Sequence, residues 1–184
     1  MSQNAPTFHV SSGSFQEGQT LPPAQRSGKL RAGGQDESPQ LSWSGAPVGT
    51  RSYAVTMFDP DAPGRGGFWH WAVLDLPADV ASLPSGAGEE GGRQLPPGTQ
   101  QLKNDAGFHG YLGAAPPPGH GPHRYAFQLF ALGAGASFEG TAGRSDVLKT
   151  VQEHGLASGL LIGTYARPDG SIPTKEPRAV TQPQ

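Results

Sequence analysis

The stretch YAVTMFDPDAP, residues 53–63, joins a strand-like run to a short acidic turn. Aromatic and β-branched side chains dominate residues 51–58, and apolar residues occupy both alternating positions, as is typical of a strand covered on both faces. The run ends at Asp59 and Asp61, which are interleaved with prolines. A tight turn, in which prolines fix φ and aspartates bond nearby N–H groups, explains this element in structural terms. The functional alternative is a pair of carboxylates held stiffly at the rim of a pocket.

Two further segments have a similar composition and are bounded by glycine and proline clusters, namely residues 69–76 and 124–132. Because they too carry apolar residues on both faces, we expect all three strands near the centre of a sheet. Weaker strand patterns occur at residues 8–12, 40–44 and 161–166.

The clearest helical periodicity lies at residues 146–154. Ser145 is the expected N-cap, and Gly155 follows the expected last residue. One helix among six predicted strands indicates a mostly β domain. The 28 glycines and 19 prolines concentrate between these elements, which indicates short strands joined by long, rigid loops.

Composition excludes several classes of function. The formal net charge of -2, from 13 basic and 15 acidic residues, provides no field for nucleic acid or an anionic membrane. Cysteine is absent, which excludes disulfides, thiolate metal ligands and a cysteine nucleophile. The N-terminal sequence has no basic and apolar leader pattern, and no apolar run approaches the roughly 18 residues of a membrane span. We therefore expect a cytoplasmic protein without membrane insertion.

Residues 86–91 formally match the dinucleotide pattern G-x-G-x-x-G. That pattern needs a preceding strand and a following helix, whereas here Pro84 comes before it and Pro96 and Pro97 after it. Two glutamates within the loop would also repel a pyrophosphate. Serine-hydrolase elbow, zincin and P-loop motifs are likewise missing from the sequence.

Two histidines lie at strand-like positions. His70 stands between Trp69 and Trp71, and His123 begins a strand directly after a glycine and proline loop. A lone histidine in a strand is ordinarily a hydrogen-bonded structural residue. If the strand ends meet, however, these histidines and Asp59 form a small polar site, which sequence spacing alone does not establish.

Taken together, these motifs resemble those of the phosphatidylethanolamine-binding proteins, also called Raf kinase inhibitor proteins. Residues 59–71 and 110–125 are similar to the two family signatures, and residues 15–22, 37–43 and 154–165 are similar to its opening and closing segments. The short form, without a long C-terminal helix, resembles the bacterial YbhB/YbcL-type branch.

The resemblance covers residues 8–167 and leaves 1–7 and 168–184 as predicted flexible ends. It implies a β-sandwich with a central, largely antiparallel sheet and a small cavity for phosphate-like anions and phospholipid headgroups. It also implies a cis peptide bond, for which Ala62–Pro63 is the candidate. The residues that it places in or beside the cavity are Asp59, His70, Pro116, His123 and Tyr125, with Asp61, Pro63 and Tyr111 close by.

A carboxylate repels an anion, so such a site works only if Asp59 keeps the histidines as donors or becomes protonated itself. We therefore expect non-enzymatic binding of phosphate or a phosphoethanolamine-like headgroup, with a kinase or other protein as a potential partner. No cofactor is expected.

Three alternatives stay open. A protein-interaction module could inhibit a kinase or protease through residues 86–98 and 103–122. A phosphoester hydrolase could use His70 or His123 as general base beside Asp59, although no activated nucleophile is visible. A histidine metal site is the third, although no recognised zinc spacing occurs.

Overall fold

The structure, a computed structural model, describes residues 8–64 and 66–168 of the 184-residue chain. Over these residues the fold has eight strands and one α-helix. The strands are β1 (His9–Ser11), β2 (Leu41–Ser44), β3 (Ser52–Asp59), β4 (Phe68–Pro77), β5 (Ser82–Leu83), β6 (Gln100–Gln101), β7 (His123–Leu132) and β8 (Gly155–Tyr165). The helix α1 spans Arg144–His154, and a 3₁₀ turn covers Pro23–Gln25. The predicted mostly β fold with one helix is confirmed.

The strands form two antiparallel sheets. A five-stranded sheet has the order β6-β4-β3-β7-β8, and a three-stranded sheet has the order β1-β2-β5. The three strands predicted near the sheet centre, β3, β4 and β7, are its interior strands. Strand β8 begins at Gly155, six residues before its predicted start, and the two-residue strands β5 and β6 were not predicted.

Apolar side chains cover both faces of the interior strands. The larger core cluster fills one face and includes Trp43 from the smaller sheet, Met57 from β3 and Phe127 from β7. The smaller cluster lies on the opposite face, where Val147 of α1 packs against residues that include Phe130. This double coverage explains why the interior strands read as continuous apolar runs.

The predicted start of the helix was wrong by two residues. Its N-cap is Gly143 rather than Ser145, and the Asp146 carboxylate accepts the Gly143 N–H at 2.8 Å. Ser145 therefore lies within the first turn. The predicted end is confirmed, because the helix stops at His154 and Gly155 passes directly into β8.

The turn between β3 and β4 contains no cis bond. Every peptide bond in the described ranges is trans, so the expectation for Ala62–Pro63 was wrong. The chain instead reverses through positive φ at Gly64, Gly66 and Gly67. No helix within the described residues is long and apolar enough to cross a membrane. The predicted flexible ends lie outside the described residues, except for Pro168.

Residues 110–116 run through the interior between β4 and the 3₁₀ turn. The Leu112 N–H donates to the His70 carbonyl at 3.0 Å, and the Ala114 N–H donates to the Gln25 carbonyl at 3.1 Å. Between them, Gly113 lies against the backbone of Arg26 so closely that a Cβ would overlap the Arg26 carbonyl group. Only glycine fits at this position.

We predict that Gly113→Ala destabilises the fold by about 1 to 3 kcal/mol, because the added methyl forces two packed backbone segments apart. Urea unfolding of the two proteins measures the difference. The matched control is Gly140→Ala, since a Cβ on Gly140 has no neighbour within 4 Å. Equal unfolding midpoints for the two alanine variants would show that residues 110–116 are not held tightly.

Candidate functional site

Asp59 and His123 form a buried hydrogen-bonded pair at one end of the larger sheet. Asp59 ends β3 and His123 begins β7, and antiparallel pairing of these strands brings the two ends together. The His123 Nδ1 lies 2.7 Å from the Asp59 Oδ2, and the two side chains are 2% and 4% exposed. The other Asp59 oxygen accepts the Asp61 N–H at 2.8 Å. Asp59 therefore fixes both the acidic turn and the imidazole.

His70 reaches the same region because β4 is irregular. Met57 pairs with Trp71 and Phe58 pairs with Trp69, which leaves His70 as the extra residue of a β-bulge. A bulge interrupts the alternation of faces, so Trp71 lies in the larger core cluster whereas Trp69 lies in the smaller one. The His70 ring meets the Tyr125 ring edge-on at 5.3 Å between centroids.

The His70 imidazole is hydrogen-bonded to the backbone of the segment at residues 110–116. Its Nδ1 lies 2.9 Å from the Leu112 carbonyl oxygen, and because a carbonyl only accepts, this nitrogen carries the proton. Burial lowers the pKa of His70, while the Leu112 carbonyl and the Asp59 charge act in the opposite direction. The Nδ1 proton of His70 is therefore committed to the Leu112 carbonyl.

Tyr125 has a buried hydroxyl without a hydrogen-bond partner among the described residues. Burial raises the pKa of Tyr125, and the nearby Asp59 charge adds to the shift. The Ala115 N–H acts in the opposite direction, although its geometry falls short of a hydrogen bond. An unsatisfied buried hydroxyl costs about 1 to 3 kcal/mol, so an acceptor that reached it would be bound favourably.

Asp61 lies outside this buried cluster and binds Arg124 instead. Its carboxylate accepts three hydrogen bonds from Arg124, at 2.8 Å from the backbone N–H and at 2.9 and 2.8 Å from the guanidinium. These bonds lower the pKa of Asp61 and raise that of Arg124. The Asp61–Arg124 clamp is partly exposed and links the acidic turn to β7.

Three further residues were predicted to lie in or beside the cavity, namely Tyr111, Pro116 and Pro63. Tyr111 is buried, and its hydroxyl donates to the Gln25 carbonyl at 2.9 Å, so it is committed to the core. Pro116 is buried and Pro63 is exposed. The structure thus brings together Asp59, His70, His123 and Tyr125, whereas Asp61 and Tyr111 have other partners.

Sequence reasoning missed His120. Its Nδ1 lies 2.7 Å from the His123 Nε2, and the two rings meet edge-on at 4.9 Å between centroids. The spacing of two histidines three residues apart, at the entrance to a strand, was the signal available in the sequence.

The cluster is closed in this conformation. Asp59, His70 and His123 are each less than 5% exposed. Cavities of about 380, 540 and 370 Å³ lie elsewhere, respectively beside α1, between β1 and β8, and against residues 90–109. Within the described ranges, no group of three or more histidine, aspartate or glutamate side chains is placed to hold a metal ion.

The family model described as phosphatidylethanolamine-binding protein matches residues 11–166. The chain belongs to this family. It is 44% identical over 131 residues to the UPF0098 protein YbcL of Escherichia coli, covering 71% of this chain and 72% of YbcL. It is also 44% identical over 121 residues to YbhB of the same organism, covering 66% of this chain and 75% of YbhB.

Solved structures of family members have the same fold. The crystal structure of YbcL superposes with a TM-score of 0.82 at 37% identity, covering 86% of this chain and 98% of that one. The homologue CT736 from Chlamydia trachomatis superposes with a TM-score of 0.74 at 30% identity, covering 88% and 99%. The predicted family, bacterial branch and fold are therefore confirmed.

Two more distant matches are to a protease inhibitor and to a proposed lipoprotein. A carboxypeptidase Y inhibitor, solved with its cognate proteinase, shares the fold with a TM-score of 0.52 at 22% identity, covering 89% of this chain and 84% of the inhibitor. The proposed lipoprotein LppC of Mycobacterium tuberculosis is 30% identical over 132 residues, covering 72% of this chain and 61% of LppC.

The Asp61–Arg124 clamp predicts a pH-dependent contribution to stability. Because the folded-state pKa of Asp61 is lowered, its contribution is present above the unfolded-state pKa of about 3.9 and is lost as the pH falls through the folded-state value. Asp61→Asn should therefore lower the free energy of unfolding at pH 7 by no more than about 1 kcal/mol, since the pair is partly exposed.

Urea unfolding at pH 7 and at about pH 3 checks this prediction, because the difference between the variant and the wild type should become smaller once the pH lies below the unfolded-state pKa of Asp61. A difference between them that grows in acid is incompatible with the clamp.

Proposed function

We propose that the protein binds a phosphate-type anion, either free or as a phosphorylated headgroup, without catalysing a reaction. The observation that carries this proposal is the buried Asp59–His123 pair, whose imidazole lies 6.5 Å between ring centroids from Tyr125, a residue with a buried hydroxyl that has no partner among the described residues. The pair orients an imidazole in a buried place, and the hydroxyl provides a donor that the described residues leave unused. Both groups suit an acceptor-rich ligand.

The number of protons on the His123 ring supports an anion rather than a cation as the ligand. An ionised Asp59 only accepts, so the His123 Nδ1 carries the proton of their hydrogen bond. The ring nitrogen left for a ligand is therefore Nε2. An anion oxygen at that position needs a second ring proton, and His123 then becomes an imidazolium between two negative groups. Such a charge is tolerated in a buried place because both N–H groups are hydrogen-bonded.

In this arrangement Asp59 orients His123 and offsets its charge. Direct repulsion between Asp59 and the anion is reduced because the imidazolium lies between them. The stiff acidic turn that begins at Asp59 thus has a role that does not require Asp59 to attack a substrate.

The hydrogen-bond pattern favours binding over hydrolysis. The two ring nitrogens of His123 are bonded to Asp59 and His120, and the His70 Nδ1 is bonded to the Leu112 carbonyl. A nucleophile activated by a general base needs a hydrogen bond between the two, and no hydroxyl holds that position among the described residues.

We predict saturable binding of inorganic phosphate and phosphoethanolamine by the wild-type protein, measured by isothermal titration calorimetry. His123→Ala should weaken both by at least roughly tenfold, because a charge-assisted hydrogen bond is lost. Tighter binding of phosphoethanolamine than of phosphate would identify a headgroup as the preferred source of the anion. His9→Ala is the matched control, since His9 is exposed on β1. Binding that is unchanged in His123→Ala would place the site elsewhere.

Binding should weaken as the pH rises from 5 to 8, a range of about three units, because the proposed bound state holds one proton more than the free protein. Phosphate monoesters gain negative charge over the same range, so sulfate serves as the control anion, whose charge stays constant. A sulfate affinity that is independent of pH would exclude proton uptake on anion binding. The charged and titratable groups around His123 among the described residues include Asp59, Asp61, His70, His120, Arg124, Tyr125 and, on the neighbouring strand β8, Tyr165.

A second candidate function is inhibition of a kinase or protease through the loops at residues 86–98 and 103–122. Much of the first loop is exposed, and an ion pair between Glu89 and Arg93 lies on its surface. The proteinase complex of the carboxypeptidase Y inhibitor gives a precedent in the fold alone. Capture of a kinase or protease that persists in His123→Ala would favour this candidate. The expected cytoplasmic location stays a prediction.

A further inference from the structure

His120 is hydrogen-bonded to the Nε2 of His123, which is the ring nitrogen that a ligand would contact. The His123 Nδ1 is bonded to Asp59, and its Nε2 lies 2.7 Å from the His120 Nδ1. Because both atoms are ring nitrogens, one proton lies between them and one of the two must act as acceptor. The free protein therefore has a line of hydrogen bonds that runs from His120 through His123 to Asp59.

This line is incompatible with an anion at the His123 Nε2. An oxygen about 2.8 Å from each of two nitrogens that are 2.7 Å apart lies to the side of the line that joins them, away from the direction of an N–H bond that points at the other nitrogen. If the His120 Nδ1 and the His123 Nε2 both carried a proton, the two N–H groups would also point at each other and repel in the present arrangement. Anion binding must therefore separate the two rings.

The chain around His120 is built to allow such a separation. His120 lies between Gly119 and Gly121, whose φ angles are 73° and 89°. Glycine reaches such angles without strain, and His120 itself is exposed. By contrast, His123 is 2% exposed and is held by Asp59, so His120 is the partner that moves.

We propose that His120 is a ligand-contacting residue of the phosphate site, which exchanges its hydrogen bond to His123 for one to an anion oxygen. The inference rests on the proposed function. Once the anion takes the His123 Nε2, the His120 Nδ1 has lost its acceptor, and the nearest new acceptor is the anion. The exchange replaces a bond between two imidazoles with a charge-assisted bond, which is the stronger kind. His120 thus closes the empty site and holds the occupied one.

The test is calorimetric titration of the full-length wild type, His120→Ala, His123→Ala and the control His9→Ala with inorganic phosphate at pH 6. His120→Ala should weaken phosphate binding roughly threefold to tenfold, because the lost charge-assisted bond outweighs the bond that no longer has to be broken. Its thermal unfolding midpoint should lie close to that of the wild type, since His120 is exposed and only its hydrogen bond to His123 is lost. His123→Ala should be weaker still.

The outcomes separate this inference from the proposed function. Equal or tighter phosphate binding by His120→Ala, together with wild-type binding that depends on His123, would overturn the role of His120 alone. No saturable binding by the wild type would overturn the proposed function and the role of His120 with it. Sulfate and phosphoethanolamine, titrated in parallel, show whether the contact follows the shared tetrahedral anion or the amine of a headgroup.

Discussion

The hydrogen bond between Asp59 and His123 is the constraint on which the site depends. Both groups are buried, and removal of either would leave the other uncompensated, which is strongly destabilising in a folded protein. The pair exists because β3 ends where its antiparallel neighbour β7 begins, and the core on both sheet faces holds these strands in register. Packing far from the site therefore sets the position of its imidazole.

Much of the fold could be predicted from the sequence, because β3, β4 and β7 carry apolar residues on both faces and are bounded by glycine and proline. The same reasoning placed Asp59 and His123 at strand ends. It failed for the start of α1, where Asp146 satisfies the Gly143 N–H and moves the cap two residues upstream. It also failed for β5 and β6, since strands of two residues have no detectable alternation.

The site itself was only partly predictable, for reasons that are local. A period of two places His70 on the face opposite its neighbours, and the bulge that re-aims it leaves no mark in the composition. His120 lies in a glycine and proline loop without periodicity, so its contact with His123 could not be derived from spacing. Family resemblance suggested the remaining residues, among them Tyr111, which is buried and donates to the Gln25 carbonyl.

Nuclear magnetic resonance of the protein labelled with ¹⁵N-histidine gives the most direct view of His123. In the free protein its Nδ1 should be protonated, because it donates to the Asp59 carboxylate. Saturating phosphate should then protonate Nε2 while Nδ1 stays protonated. Ring nitrogens of His123 that do not respond to saturating phosphate would be incompatible with an anion site at this imidazole.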